Sequence, residues 1–315
     1  MSGRSLNCPS VAGNQRGAAL IAALLAAALV TTLAAAMIFS QQLDIRRSGN
    51  ILHGDQAYLY ALGVEEWAAL LLGRAEPGEE HEYLGQSIPP IMVEGGQISG
   101  RMDDLQGRFN VNNLVLTPEE SREQVRLQFR RLLTGCGLDP ELEQAVADWL
   151  DGDQEPRFPG GAEDGEYLRR NPPYRTADRP VSDPRELSLV YGLDNQEFQQ
   201  CLLPLLSALP ENTRLNVSTA SAPLLASLSD QLALTDAERL VAERPLRGYH
   251  SLAEFIELPA MAGSGLSAEV AAGFLDVQSR YFMVQSEVVI GQSRIVLFSL
   301  LRRQGEEVRI LRRNR

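Results

Sequence analysis

The 315-residue chain contains no lysine. Its 29 basic residues are all arginine, a matter of codon composition rather than mechanism. Histidine and cysteine are scarce, with three of each. Cys8, Cys136 and Cys201 stand far apart, with no C-x-x-C or Cys/His spacing, so there is little from which to build a zinc site. P-loop, H-E-x-x-H and nucleophile-elbow motifs are absent. Paired carboxylates alone can act as acid and base. Here, however, the acids cluster in Gly/Pro-rich sequence, which favours a metal site or a solvated loop, so the chain is read as not an enzyme. A surplus of positive charge is lacking as well: the net charge is −12 and the pI lies near 4.9. That balance disfavours nucleic acid as a partner and suits an extracytoplasmic surface or cations.

Charge is also missing from one long stretch. Between Arg16 and Asp44 about 27 residues carry none, enough for a helix rising ~1.5 Å per residue to cross a bilayer core. A short polar leader with Arg4 and Arg16 precedes it. No A-x-A-like site closes the apolar run; the small residue, Gly17, stands before it, unlike a secretory signal. A cut after Gly17 would leave the hydrophobic helix on the mature chain. In Gln15-Arg16-Gly17-Ala18-Ala19-Leu20-Ile21 the sequence resembles the type IV prepilin-like proteins. The resemblance implies cleavage by a prepilin peptidase between Gly17 and Ala18, with methylation of the new N-terminus. It also implies a single-pass inner-membrane anchor and a folded domain in the periplasm. Most of that family carries glutamate at the fifth mature position, an expensive charge in lipid. Here the position is Ala22, which resembles the K-type minor pseudopilins of type II secretion (general secretion pathway protein K). A plain signal anchor is the other reading of this segment. Arg46 and Arg47 beyond the run make charge placement a weak guide to orientation. Loss of the leader would remove Cys8; Cys136 and Cys201 would then either form one disulfide in an oxidising periplasm or stay as buried thiols.

Along the chain, helical pattern continues from Ser40 to about Gly73. Tyr60, Val64, Trp67 and Leu71 form one apolar stripe, read as core packing. Arg74 to Gly100 is a Gly/Pro/Glu-rich connection broken by Pro77-Gly78 and Pro89-Pro90. A first strand is expected near Gln97–Asp103. Residues Thr117 to about Asp276 are helical in character, with starts at Thr117-Pro118-Glu119-Glu120 (a capping box), Asp139-Pro140, Asp183-Pro184 and Thr235-Asp236. Arg108-Phe109-Asn110-Val111-Asn112-Asn113 is echoed by Arg214-Leu215-Asn216-Val217-Ser218-Thr219, which suggests two related helical halves. From Tyr281 the period changes to strand, with turns at Gly291-Gln292 and Gln304-Gly305 giving three antiparallel strands. One strand before the helical block and three after it make the block an insertion. The expected fold is α+β: a long N-terminal transmembrane and amphipathic helix packed on a small antiparallel sheet, with a large inserted all-α domain. The expected boundaries are a leader at 1–17, the helix at 18–73 with its membrane part at 18–43, a pseudopilin α+β domain at 74–109 plus 278–315, and a helical insertion at 110–277.

Within the insertion, Asp151-Gly152-Asp153-Gln154-Glu155-Pro156 opens an irregular loop over 151–183, rich in proline and acids. A loop of this length in a compact domain needs something to hold it. Clustered hard oxygen ligands suggest Ca²⁺. Asp151, Asp153 and Glu155 alternate as an EF-hand begins, but Pro156 stands where that loop needs glycine. The motifs D-W-L-D-G-D-x-E-P, G-G-A-E-D and N-P-P-Y resemble the calcium-binding region of the K-type pseudopilins. The resemblance implies Asp151, Asp153, Glu155, Glu163 and Asp164 as ligands. It further implies a subunit at the tip of a short periplasmic pseudopilus, assembling with minor pseudopilins I and J to start and cap it for protein export across the outer membrane. The alternative is a membrane-anchored helix-hairpin-helix protein like the competence DNA receptors, which Leu215–Ala220 and Gly248–Leu252 resemble. Its inter-helix segment, Ser229–Asp236, is acidic and lacks Gly-x-Gly, which opposes phosphate binding.

The leader reading predicts that the intact mass of the mature protein depends on prepilin peptidase. Residues 1–17 should be lost, with one methyl gained, only in a host that has the enzyme. An uncut chain, or a cut beyond the apolar run, would refute it.

Overall fold

The computed structural model describes residues 15–76 and 78–315. The leader residues 1–14, Cys8 among them, and Pro77 lie outside the described residues. Helix α1 (Gln15–Arg74) is 60 residues long, roughly 90 Å at 1.5 Å per residue. From Gly17 to Leu43 every residue is exposed, with nothing of the chain packed against it. Alanine and leucine dominate there, residues of high helix propensity, so the segment holds its helix without tertiary support.

Two strands follow as a hairpin, β1 (Ser87–Val93) and β2 (Gly96–Asp104). The helical segment then begins. It contains β3 (Phe109–Asn110), α2 (Asn113–Leu116), α3 (Glu119–Gly135), α4 (Leu142–Leu150) and α5 (Asp164–Tyr167), ending its first half at β4 (Leu206–Ser207). The second half runs β5 (Leu215–Asn216), α6 (Ala222–Ala226), α7 (Leu234–Ala242), α8 (Leu252–Ile256), α9 (Ala268–Ala272) and β6 (Leu275–Asp276). Then come the long strands β7 (Tyr281–Ile290), β8 (Ser293–Gln304) and β9 (Glu307–Asn314). The sheet order is β1-β2-β7-β8-β9, antiparallel throughout. The helical segment is thus an insertion between two neighbouring strands, and the architecture is α+β.

The sheet has five strands, not the four that the pattern predicts. Strand β1 was hidden by Pro89-Pro90. Both prolines fall where the register shifts between Ile88 and Ile91, on the edge strand, the one place a sheet tolerates residues that cannot donate. The stripe on α1 also needs correction. Ala57, Ala61, Glu65, Ala68 and Leu72 form the buried face, while Tyr60, Val64 and Leu71 are half-buried flank residues and Trp67 is 46% exposed. Small side chains let the helix approach the sheet, where Leu72 meets Phe282, Val284 and Leu301. Each such large side chain contributes about 1.5–3 kcal/mol by leaving water.

A polar clamp fixes the rotation of the helix. Glu65 is buried and accepts from Arg313 Nε and Nη2 at 2.9 and 2.8 Å and from the Ser299 hydroxyl. Burial alone would raise its pKa; the Arg313 and Ser299 donors outweigh it and hold the carboxyl below its usual range. The insertion has its own core, with Phe109, Phe129, Trp149, Phe198 and Phe255 at its centre. Its two halves are built alike. In each, the echoed motif gives a two-residue strand that pairs in parallel with the last strand of that half, β3 with β4 and β5 with β6. The asparagine of each motif bonds the chain locally: Asn110 Oδ1 accepts from Asn112 N at 3.3 Å, and Asn216 Oδ1 from Ser218 N at 2.9 Å. A disulfide joins Cys136, after α3, to Cys201, with Cα atoms 5.6 Å apart.

Helix starts are less regular than the sequence suggests. Thr117 makes no capping box. Its hydroxyl donates to Asn212 Oδ1 at 3.2 Å, and α3 begins at Glu119 after Pro118. Asp183 does cap, accepting from Arg185 N at 2.9 Å.

Candidate metal centre

The carboxylates of the acidic loop are held at the end of α4. Every residue of that helix from Glu143 to Leu150 is buried, so the chain leaves it in a fixed direction. Asp148 is wholly buried in the last turn and needs a counter-charge. Arg157 supplies it: Nη1 donates to Asp148 and, at 2.5 Å, to Asp151 Oδ2, while Arg157 N donates to Asp148 Oδ2 at 3.1 Å. The loop turns back so tightly that a Cβ on Gly161 would stand 2.2 Å from Asp148 Oδ2. Only glycine fits, and the turn delivers Glu163 beside Asp151.

Asp151, Asp153 and Glu163 each offer an oxygen, and the three atoms lie within 4.8 Å of one another. Asp153 Oδ1 also accepts from Glu155 N at 2.9 Å, which fixes its rotamer. Both carboxylate oxygens of Glu163 and Oδ1 of Asp151 are buried without a hydrogen-bond partner. Unpaired buried carboxylate oxygens are costly. Burial first, then the charges of Asp148, Asp151, Asp178 and Asp153, push the Glu163 carboxyl up to about 8. A hard cation would reverse both penalties. It would supply the missing partner for three orphaned oxygens and neutralise the mutual repulsion.

Of the five expected ligands, three converge in the structure. Glu155 is exposed and stands outside the cluster. Asp164 turns away: Oδ1 accepts from Thr176 N and Oγ1, both at 3.1 Å, and Oδ2 lies 3.6 Å from Arg175. It secures the returning strand of the loop rather than facing the cluster. Sequence reading passed over Arg157 and Asp178. The latter, at φ 49°, accepts from Gln154 Nε2 at 3.1 and 3.2 Å and adds charge near Glu163. Beneath the loop, Tyr167 packs on Trp149 and Tyr174 with ring centroids 5.1 and 5.5 Å apart. At its far end, Asn112 grips Val181 through both bonds, Nδ2 to the carbonyl at 2.8 Å and Oδ1 from the amide at 3.0 Å.

A long, partly uncovered N-terminal helix laid on an antiparallel sheet, with a helical insertion carrying an acidic loop, defines a pseudopilin-type protein. Two family profiles, both described as type II secretion system (T2SS), protein K, match residues 107–211 and 215–278. The chain is 39% identical to the type II secretion system protein K of Pseudomonas aeruginosa, over 95% of this chain and 92% of that protein. It is 34% identical to the protein of the same name from Klebsiella pneumoniae, over 95% and 96%. The chain belongs to the type II secretion system protein K family. Its fold matches a chain in the solved GspK-GspI-GspJ complex of enterotoxigenic Escherichia coli, with a TM-score of 0.72 and 23% identity over 85% of this chain and 98% of that one. The relatives bear the names of secretion-system components, and none is named as a DNA receptor, so the competence-receptor alternative finds no support.

The raised Glu163 carboxyl has a measurable signature. Its folded pKa lies above its unfolded value of about 4.3. Without added cation, its contribution to stability is therefore full below that unfolded value and is lost as pH rises toward about 8. Thermal melts in chelator should fall in Tm across that window for the native chain. The decline should flatten in Glu163→Gln; an identical slope in both proteins would refute the assignment.

Proposed function

We propose that this protein sits at the tip of the type II secretion pseudopilus, where it starts and caps assembly together with minor pseudopilins I and J. The observation that carries this reading is the placement of the insertion. It occupies the chain between β2 and β7 and adds a second core to the helix-on-sheet unit. A subunit so enlarged would block the addition of another above it, while α1 stays free along Gly17–Leu43 to lie in the membrane and then among helices of subunits below. Ala22 in place of a buried glutamate fits a subunit with no need to neutralise a neighbour's N-terminus. The solved relative was found in a complex named for K, I and J components, which supports the same partners here. The anchor would lie in the inner membrane with the folded part in the periplasm, after prepilin peptidase has cut between Gly17 and Ala18 and the new N-terminus has been methylated. The role is mechanical, and no catalytic step is assigned to any residue.

Calcium is the cation this reading assigns to the loop. Asp151, Asp153 and Glu163 would hold it, with further oxygens from backbone or water to reach the ~6–8 that the ion takes. Its work there is structural, holding a long loop against the end of α4.

Two outcomes are expected. Full-length chain co-expressed with I and J subunits of the same system should co-purify with both in detergent. Retrieval of neither would sink the proposed partnership. Separately, millimolar calcium should raise the Tm of the native chain, and the shift should vanish in Glu163→Gln but persist in Glu155→Gln. No shift in the native chain would remove calcium from the account.

A further inference from the structure

The sheet meets the insertion at a cleft of about 460 Å³ whose character differs from the rest of this acidic protein. Arg108 and Arg244 both line it. Most described arginines pair with a carboxylate (Arg122, Arg131, Arg157, Arg303 and Arg313 are examples). Among the described residues neither Arg108 nor Arg244 has one within 4.0 Å. Arg244 Nη2 donates to the Ala220 carbonyl at 2.5 Å, but its Nε is buried with no partner. Ser221 Oγ and His81 Nε2, which belong to two further residues lining the cleft, are likewise buried and unpartnered. Four polar side chains from separate parts of the chain thus keep unused hydrogen-bonding capacity around one space.

Charge sets what fits there. Arg101 also lines the cleft but is neutralised by Asp103 at 2.8 Å. Asp104 lies at the base with its carboxylate saturated by four donors. Three arginines against two aspartates leave the lining with an excess of formal positive charge, which suits a carboxylate. The remaining wall is apolar, from Pro204, Leu224 and Leu246, the last 92% exposed at the rim. Guanidinium groups beside apolar contacts are the means by which proteins hold an acidic side chain on a peptide. The volume falls within the roughly 300–1,000 Å³ of pockets that hold a small ligand.

We propose that this cleft is a binding site for an acidic peptide segment, holding one Asp or Glu carboxylate by Arg108 and Arg244 while its apolar neighbours lie against Leu246 and Pro204. The segment belongs to another protein that the folded part meets. The site uses none of the loop carboxylates, so it stands or fails apart from the calcium reading.

The test uses full-length chain in lipid nanodiscs, applied to an array of heptapeptides. The central residue of each is Asp, Glu, Asn, Gln or phosphoserine, and its neighbours are randomised. Peptides with Asp or Glu should be retained about tenfold more strongly than their amide counterparts, a gap of one decade in Kd. Arg108→Ala should abolish that preference without lowering Tm, since Arg108 has no carboxylate within 4.0 Å to lose. Arg244→Gln, which keeps a donor for the Ala220 carbonyl, should do the same, and Arg169→Ala, remote and exposed, should retain it. Equal retention of acids and amides, stronger retention of phosphoserine, or an unchanged preference in both cleft variants would overturn the proposal.

Discussion

The carboxylate of Asp104, at the end of β2, holds the molecule's two parts together. Its Oδ1 accepts from Gln106 N at 2.8 Å, and its Oδ2 from Asn216 Nδ2 at 3.0 Å, Ser279 Oγ at 2.7 Å and the Thr219 hydroxyl. The three donors to Oδ2 come from the middle of the insertion and from its exit, more than a hundred residues along the chain. Gln106 repeats the bond pattern, donating to the Arg214 carbonyl and accepting from Arg280 N. Chain entry, midpoint and exit are thereby fixed on one another. Gly107 is needed at this junction, because a Cβ there would lie 2.5 Å from Thr219 Oγ1. The small apolar cluster of Leu105, Leu209, Tyr281 and Leu300 seals the join.

Three buried acids in this fold meet three fates, decided by what faces them. Glu65 meets arginine, and its pKa falls. Asp104 meets only neutral donors, so burial wins and its pKa rises. Glu163 meets other acids and no donor, and its pKa rises to about 8. The first two are complete as they stand, since each oxygen has a partner. Glu163 is incomplete within the chain, and this sets the loop apart from an ordinary structural polar network.

Much of this was legible in sequence where one physical rule acted alone. Strands β7 to β9 showed their alternation because one face packs on α1 and the other meets water. The insertion followed from strands on both sides of a helical block. Legibility failed where two rules competed. Pro89-Pro90 argued against a strand, yet an edge bulge accommodates them. Large residues at Tyr60, Trp67 and Leu71 looked like the core face, yet close approach to the sheet selected Ala57, Ala61 and Ala68. In the loop, the acids themselves were evident, and Asp151, Asp153 and Glu163 converge. Glu155 and Asp164 could not be told from them, because the sharp turn at Gly161 and the hydrogen bonds of Thr176 decide which carboxylates face inward. Arg157, which partners both Asp148 and Asp151, had no signal beyond being one arginine among many.

The paired construction of the insertion bears on its ancestry. Each half opens on a short strand bearing a bonded asparagine and closes on a parallel partner. That is the pattern a tandem duplication leaves. The first half, matched over 107–211, is longer than the second, matched over 215–278. The acidic loop and the Cys136–Cys201 bridge both lie in the first. The second half, residues 215–278, is thus the bare scaffold, and the first is the same scaffold carrying a loop and a covalent brace.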